Sequence, residues 1–283
     1  SFVSSEQASL GNKKENVIIK NPISSDLDTM RSSIFPNLLT SINININRLY
    51  NNGKLFEVGP QYSGPKEEDQ QMVASGIQYG PVHTEIWGDE KRMSDVFDVK
   101  SDVYFVLDQL NVPVDKILYE ESDNNFFHPG KSAQLRIGKN ILAQFGEMHP
   151  FILKKFDINT NVCGFEILLD QVSQFQLKIT STKKAYDNND LQAIERDFAF
   201  LFPKNIRAGE IVKKIKKIDN QLVKNVTVFD VFEGNKLPEN MKSIGIKVIL
   251  QPIEKTFTDS EIEKISKKII DLISKTFEGK LRQ

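Results

Sequence analysis

Hydrophobic positions recur along this chain with two periods, and the change from one period to the other marks out its elements. Alternation at every second residue appears in "KLFEVGPQY" and, across the polar run 63–71, in the mixed "MVASGIQYG"; together they predict a hairpin with the acidic triplet Glu67, Glu68 and Asp69 at a solvated tip. Steps of three and four then place Val96, Val99, Val103, Val106 and Leu110 on one stripe and predict a helix. Short strands follow at "SAQLRIG" and "NILAQFG", joined around Gly138 and Lys139, and at "NVCGFEILL". Strands in succession with helices laid on them, and no βαβ repetition, predict an antiparallel sheet of the α+β class.

One stretch carries both periods. In "SINININR" the isoleucines Ile42, Ile44 and Ile46 alternate with asparagine as in a half-buried strand. Read from Pro36, however, Leu38, Leu39, Ile42, Ile46 and Leu49 recur at steps of three and four, and Pro36 suits a first helical turn. The longer stripe predicts a helix. It leaves Ile44 on the opposite side, surplus to one core.

Past residue 190 the pattern sharpens. "RDFAFLF" reads as a strand, "RAGEIVKKIKKI" as a helix with Ile211, Ile215 and Ile218 on its stripe, and "VKNVTVFDVFEG" and "MKSIGIKVILQ" as a strand pair. "TDSEIEKISKKIIDLISKTF" opens on a Thr258-x-x-Glu261 capping box, keeps Ile262, Ile265, Ile269, Ile273 and Phe277 on one face, and precedes a short "KLR" strand. The order β-α-β-β-α-β is that of a ferredoxin-like fold, one sheet face lying under two helices. Phe198, Phe200 and Phe202 are therefore read as core under those helices. Between the two halves, "LKITSTKKAYDNNDLQ" is poor in large apolar residues and reads as a linker. The predicted organisation is a domain over 1–178, a linker over 179–190 and a ferredoxin-like domain over 191–283.

Composition narrows the function classes. Net charge is −6 over residues 1–190 and +5 over 191–283. That asymmetry points to nucleic acid on the basic half, although lysines on solvated helix faces give the same count. One cysteine, Cys163, excludes an internal disulfide or CxxC site and fits a reducing compartment. No apolar run approaches the roughly 18 residues of a membrane helix, and the start shows no signal-peptide pattern, so a cytoplasmic location and no membrane partner are expected. His83, His128 and His149 lie far apart, and phosphate-loop, dinucleotide and nucleophile-elbow motifs are missing. No complete catalytic site, no metal site and no cofactor within this chain are expected.

Nine short stretches, in order, resemble one family, the β subunit of bacterial-type phenylalanyl-tRNA synthetase, in its C-terminal third. They are "NPISSDLDTMRSS", "LFEVG", "FDVK", "FHPGKSAQL", "FGEMHP", "ERDFAF", "FDVFEG", "KSIG" and "TFTDSEIE". Two departures stand out: Lys131 occupies a position where the family usually has arginine, and a proline is missing before Arg196-Asp197.

The resemblance implies a fragment made of an inactive class II synthetase-like domain and a ferredoxin-fold anticodon-binding domain, with the family's other modules preceding Ser1. It implies an α-subunit partner in an α2β2 assembly, tRNA(Phe) as the RNA, and ATP with magnesium used by the full complex. The positions around Glu57 and around "FGEMHP" have no arginine immediately adjacent in sequence, and His128-Pro129-Gly130 reads as a turn. Residues singled out for tRNA are Arg196, Lys242, Ser243 and Phe232, with Lys213, Lys214, Lys216 and Lys217 as a basic helix strip. Ile42, Ile44, Ile46 and Arg48 are singled out for the subunit interface. The competing reading is a protein-interaction scaffold with only non-specific RNA binding.

Overall fold

The computed structural model describes residues 2–10, 16–83, 87–88, 92–176, 189–219, 221–234, 237–253 and 255–282. Most of the stretch read as a linker, 177–188, lies outside the described residues. The chain divides into two compact units, Ser1–Ser181 and Thr182–Gln283.

The first unit runs β1 (Phe2–Val3), α1 (Ser5–Ser9), β2 (Thr29–Met30), α2 (Phe35–Asn47), β3 (Gly53–Tyr62), β4 (Gln70–Tyr79), α3 (Val96–Gln109), β5 (Leu118–Glu120), β6 (Phe127–Ile137), β7 (Asn140–Met148), α4 (Pro150–Lys155), β8 (Val162–Leu168) and α5 (Leu169–Val172). Its main sheet has six antiparallel strands in the order β3-β4-β8-β7-β6-β5. Alternation sends apolar side chains to both faces, so two cores form. One packs α2, through Phe35, Leu38, Leu39 and Ile42, with Ile77, Phe126 and Phe127. The other packs α3, through Val99, Val103 and Leu107, with Leu135, Phe145 and Ile167.

"SINININR" lies in helix α2, with Pro36 in the first turn. Ile42 is fully buried, Ile44 is 45% exposed and Ile46 lies between. The stripe ends sooner than its spacing predicts: Leu49 lies past the helix in the left-handed region, φ 67°, and is exposed. His128-Pro129-Gly130 is not a free turn but part of β6. Its pairing with β7 jumps from Phe127 opposite Met148 to Ser132 opposite Gly146, so the intervening residues bulge from the ladder. The turn chemistry survives inside the bulge, where the Gly130 N–H donates to His128 Nδ1 at 3.1 Å. At "FGEMHP", β7 ends and His149 caps α4, accepting the Phe151 N–H at 3.1 Å with Pro150 opening the helix.

The second unit contains β9 (Ile194–Pro203), α6 (Ala208–Lys216), β10 (Val223–Phe232), β11 (Met241–Leu250), α7 (Asp259–Phe277) and β12 (Lys280–Leu281). Its sheet order β10-β11-β9-β12, antiparallel throughout, is the ferredoxin-like arrangement. Phe198, Phe200 and Phe202 face the helices and pack with Ile211, Ile215, Ile269 and Ile273. At the start of α7 the Glu261 carboxylate accepts both the N–H and the hydroxyl of Thr258, at 2.8 and 2.9 Å.

Candidate nucleic-acid interface

Because both helices of the second unit pack on one face of its sheet, the other face is assembled from the alternate residues. Its register rows are Thr227, Lys247 and Asp197; Asp230, Gly245 and Ala199; and Phe232, Ser243 and Leu201. Between the first two rows β10 carries a bulge at Phe229, which puts two residues opposite Gly245. A Cβ on Gly245 would stand 2.8 Å from the Phe229 ring, so the absence of a side chain lets that ring lie across the strand. Phe229 is 56% exposed and Phe232 40%. Two open aromatic faces beside backbone and polar edges can stack unpaired bases. Beside them Lys247 donates to Glu195 at 2.8 Å, and that bond raises the ammonium above its ordinary pKa.

The residues chosen from sequence do not form one cluster. Phe232 and Ser243 are register partners on the open face, but Ser243 is 3% exposed between Phe232 and Leu201 and is closed to a ligand. Arg196 and Lys242 share the parity of the core phenylalanines and project at opposite ends of the helix-covered face. Arg196 pairs with Val248, which is six residues, or about 20 Å of strand, from Lys242 on β11. Lys213, Lys214 and Lys217 line a groove with Glu210 and Phe277 on the helix layer, on the far side from the open face. Phe229, Gly245 and Lys247 were missed. The bulge that aims Phe229 adds one residue without changing the hydrophobic pattern, so only the glycine two places after Ser243 signalled a close approach.

In the first unit a polar row crosses the whole sheet on one face, one side chain per strand: Glu57, Ser75, Glu166, Gln144, Gln134 and Glu120. Neighbours take up the charged ends of the row, while Gln134 Oε1 is buried without a hydrogen-bond partner among the described residues. Arg31, buried, donates to Glu57 at 2.5 Å and to the Pro60 carbonyl at 2.8 Å. Asn124 donates to Gln144 at 2.9 Å, and both Arg136 and Gln134 donate to Glu120. Burial drives the Glu166 carboxyl up to about 7, against the opposing hydrogen bonds from Gln61 and Ser75. Over Gly146 and Gly164 on the same face the space is filled by Ser132 and Met148. The arginine absent beside Glu57 in sequence is thus supplied from 26 residues away.

The model of the phenylalanyl tRNA synthetase beta chain CLM domain matches residues 1–169 and that of the ferredoxin-fold anticodon binding domain matches 190–282. The chain belongs to the phenylalanyl-tRNA synthetase β-chain family. The phenylalanine–tRNA ligase beta subunit of Paramagnetospirillum magneticum is 37% identical across the whole of this chain and 36% of its own length. That of Brucella abortus (strain 2308) is 36% identical over the same shares. The chain therefore spans about 36% of the length of the curated relatives it matches. Pyrrolysyl-tRNA synthetase from Desulfitobacterium hafniense superposes over 56% of this chain and 52% of its own with TM-score 0.41 and 16% identity, a likeness too loose to carry weight.

The anticodon-binding family match falls on the unit with the open sheet face, and the CLM match on the unit with the polar row. Of the residues chosen for a subunit surface, Ile42 is in the core, while Ile44 and Arg48 are exposed and Ile46 packs at the margin. Among the described residues no group of three or more His, Cys, Asp or Glu side chains is placed to hold a metal ion. No described helix is long and apolar enough to cross a membrane.

Proposed function

We propose that this chain is the tRNA-binding and subunit-contacting part of a phenylalanine–tRNA ligase β subunit. On this reading residues 191–283 bind tRNA(Phe) at or near the anticodon, and residues 1–178 form a catalytic-like domain that contacts a separate α subunit in an α2β2 assembly. Phenylalanine activation with ATP and magnesium takes place on the α subunit, in the cytoplasm. The observation that carries the RNA reading is the open sheet face of the second unit, where Phe229 lies over Gly245 beside Phe232. The basic groove of α6 supplies phosphate attraction without base discrimination. Support for a non-catalytic first unit comes from its polar row, whose charged groups are engaged by side chains of the chain itself.

The test is direct binding of tRNA(Phe), and of the same tRNA with a changed anticodon, to the purified chain, with aminoacylation assayed in parallel. The reading expects weaker binding of the altered tRNA and no aminoacylation by the chain alone. Equal affinity for both across a salt series would leave only electrostatic attraction and favour the scaffold alternative.

A further inference from the structure

Edge strand β3 of the first unit has an unusual outer side. Among the described residues the sheet order leaves that side without a strand. At its far end the Tyr62 N–H donates to the Arg31 carbonyl at 3.0 Å, and Arg31 Nε donates to the Pro60 carbonyl. Backbone groups alternate in direction along a strand, so Lys54, Phe56 and Val58 also turn their N–H and C=O groups outward. Natural edges of this kind are blunted by lysine, proline or a bulge. Here Lys54 and Pro60 stand at the two ends, and among the described residues no strand pairs with the centre.

The side chains of these residues line an apolar groove of about 400 Å³ between β3 and α3, with Ala74, Phe165 and Ile167 as its floor. Phe56 is 78% exposed, Val58 53% and Phe105, across the groove, 66%. Aromatic side chains offer about 150–250 Å² each, so these three residues leave an apolar patch of roughly 300–400 Å². Rim and backbone edge added, it reaches toward the roughly 800 Å² per partner of a stable interface.

We infer that β3 accepts an extended, basic strand from a different protein chain, with apolar side chains of that strand filling the groove. A second copy fits poorly. Antiparallel self-pairing about Phe56 sets Glu57 against Leu55, and about Glu57 it sets two glutamates together. Pairing about Leu55 leaves Val58 opposite Asn52, before the strand begins at Gly53. The net charge of −6 over residues 1–190 also favours a basic partner strand. This inference rests on the proposed role of the first unit as a subunit surface and names the edge it uses.

The test mixes the purified chain with the synthetase α subunit, measures affinity, and follows amide hydrogen exchange along β3. Complex formation with slowed exchange at Phe56 and Val58 is expected. Phe56→Lys should weaken it at least about tenfold. Val58→Pro, which removes an outward N–H and leaves the β4 ladder intact, should do the same. A complex that leaves β3 exchange and both variants unaffected overturns the strand-addition inference while keeping the subunit reading. Failure of the wild-type chain to form any complex overturns the subunit reading and this inference with it. Self-association of the chain alone, dispersed by Phe56→Lys, makes the occupant a second copy and also overturns it.

Discussion

Glu166 makes the stability of the first unit depend on pH in a direction opposite to most paired carboxylates. Its side chain is buried at the centre of the polar row, and burial lifts the carboxyl from an ordinary 4.5 to about 7. The folded state thus prefers the protonated form. Stability from this group is complete below about pH 4.5 and is lost as pH rises through about 7. Ionising it at pH 8 costs about 3 kcal/mol, whereas at pH 5 the cost is about 1 kcal/mol or less. Glu166→Gln keeps the shape and the hydrogen bonding to Ser75 and removes the titration. It should stabilise the unit by about 3 kcal/mol at pH 8 and by much less at pH 5. Cys163 is the sole cysteine of the chain, fully buried three residues away on β8, so thiol labelling across a urea series reports unfolding of this unit alone. Wild type and variant compared at each pH cancel the thiol's own titration. An equal shift of the two midpoints at pH 5 and pH 8, or destabilisation at pH 8, would refute the reasoning.

Three further outcomes follow from the same structure. Gly245→Val should push the Phe229 ring off the open face and weaken tRNA binding several-fold, with far-ultraviolet dichroism of the chain unchanged. Ile44→Asp, on the half-exposed side of α2, should change unfolding of the isolated chain by no more than about 0.5 kcal/mol but, with that side proposed as a subunit surface, weaken α-subunit binding in a titration. Arg31→Met should destabilise the first unit by about 1–2 kcal/mol, because the Pro60 carbonyl and the half-exposed Glu57 lose their buried donor; the Cys163 labelling series reads this too.

Local chemistry made most of the fold legible. The alternation in "LFEVG" and "FAFLF", the stripe of α7 and its Thr258–Glu261 cap each arise from near neighbours, and each is found in place. "SINININR" resolved to a helix once the stripe was read from Pro36, yet its end at Asn47 was not legible, since nothing in the spacing forces Leu49 into the left-handed region. What escaped the sequence depends on distant partners. Arg31 meets Glu57 across a turn of fold, and the polar row exists only through strand register. Ser243 looked like a ligand contact because a polar residue on a strand invites that reading, but Phe232 and Leu201 close over it. Arg196 and Lys242 lie near each other in strand order and far apart in space because β9 and β11 run antiparallel.

Base recognition by the open sheet face, with the α6 lysines supplying only phosphate attraction, is tested most directly by two variants against two RNAs. Phe229→Ala and the triple replacement of Lys213, Lys214 and Lys217 by alanine are each titrated with tRNA(Phe) and with the anticodon-altered tRNA over a salt series. The account predicts that Phe229→Ala abolishes the difference between the two RNAs while keeping the salt slope, and that the triple variant weakens both equally and flattens the slope. Discrimination that survives Phe229→Ala and disappears with the lysines would place recognition on the helix layer and contradict the account.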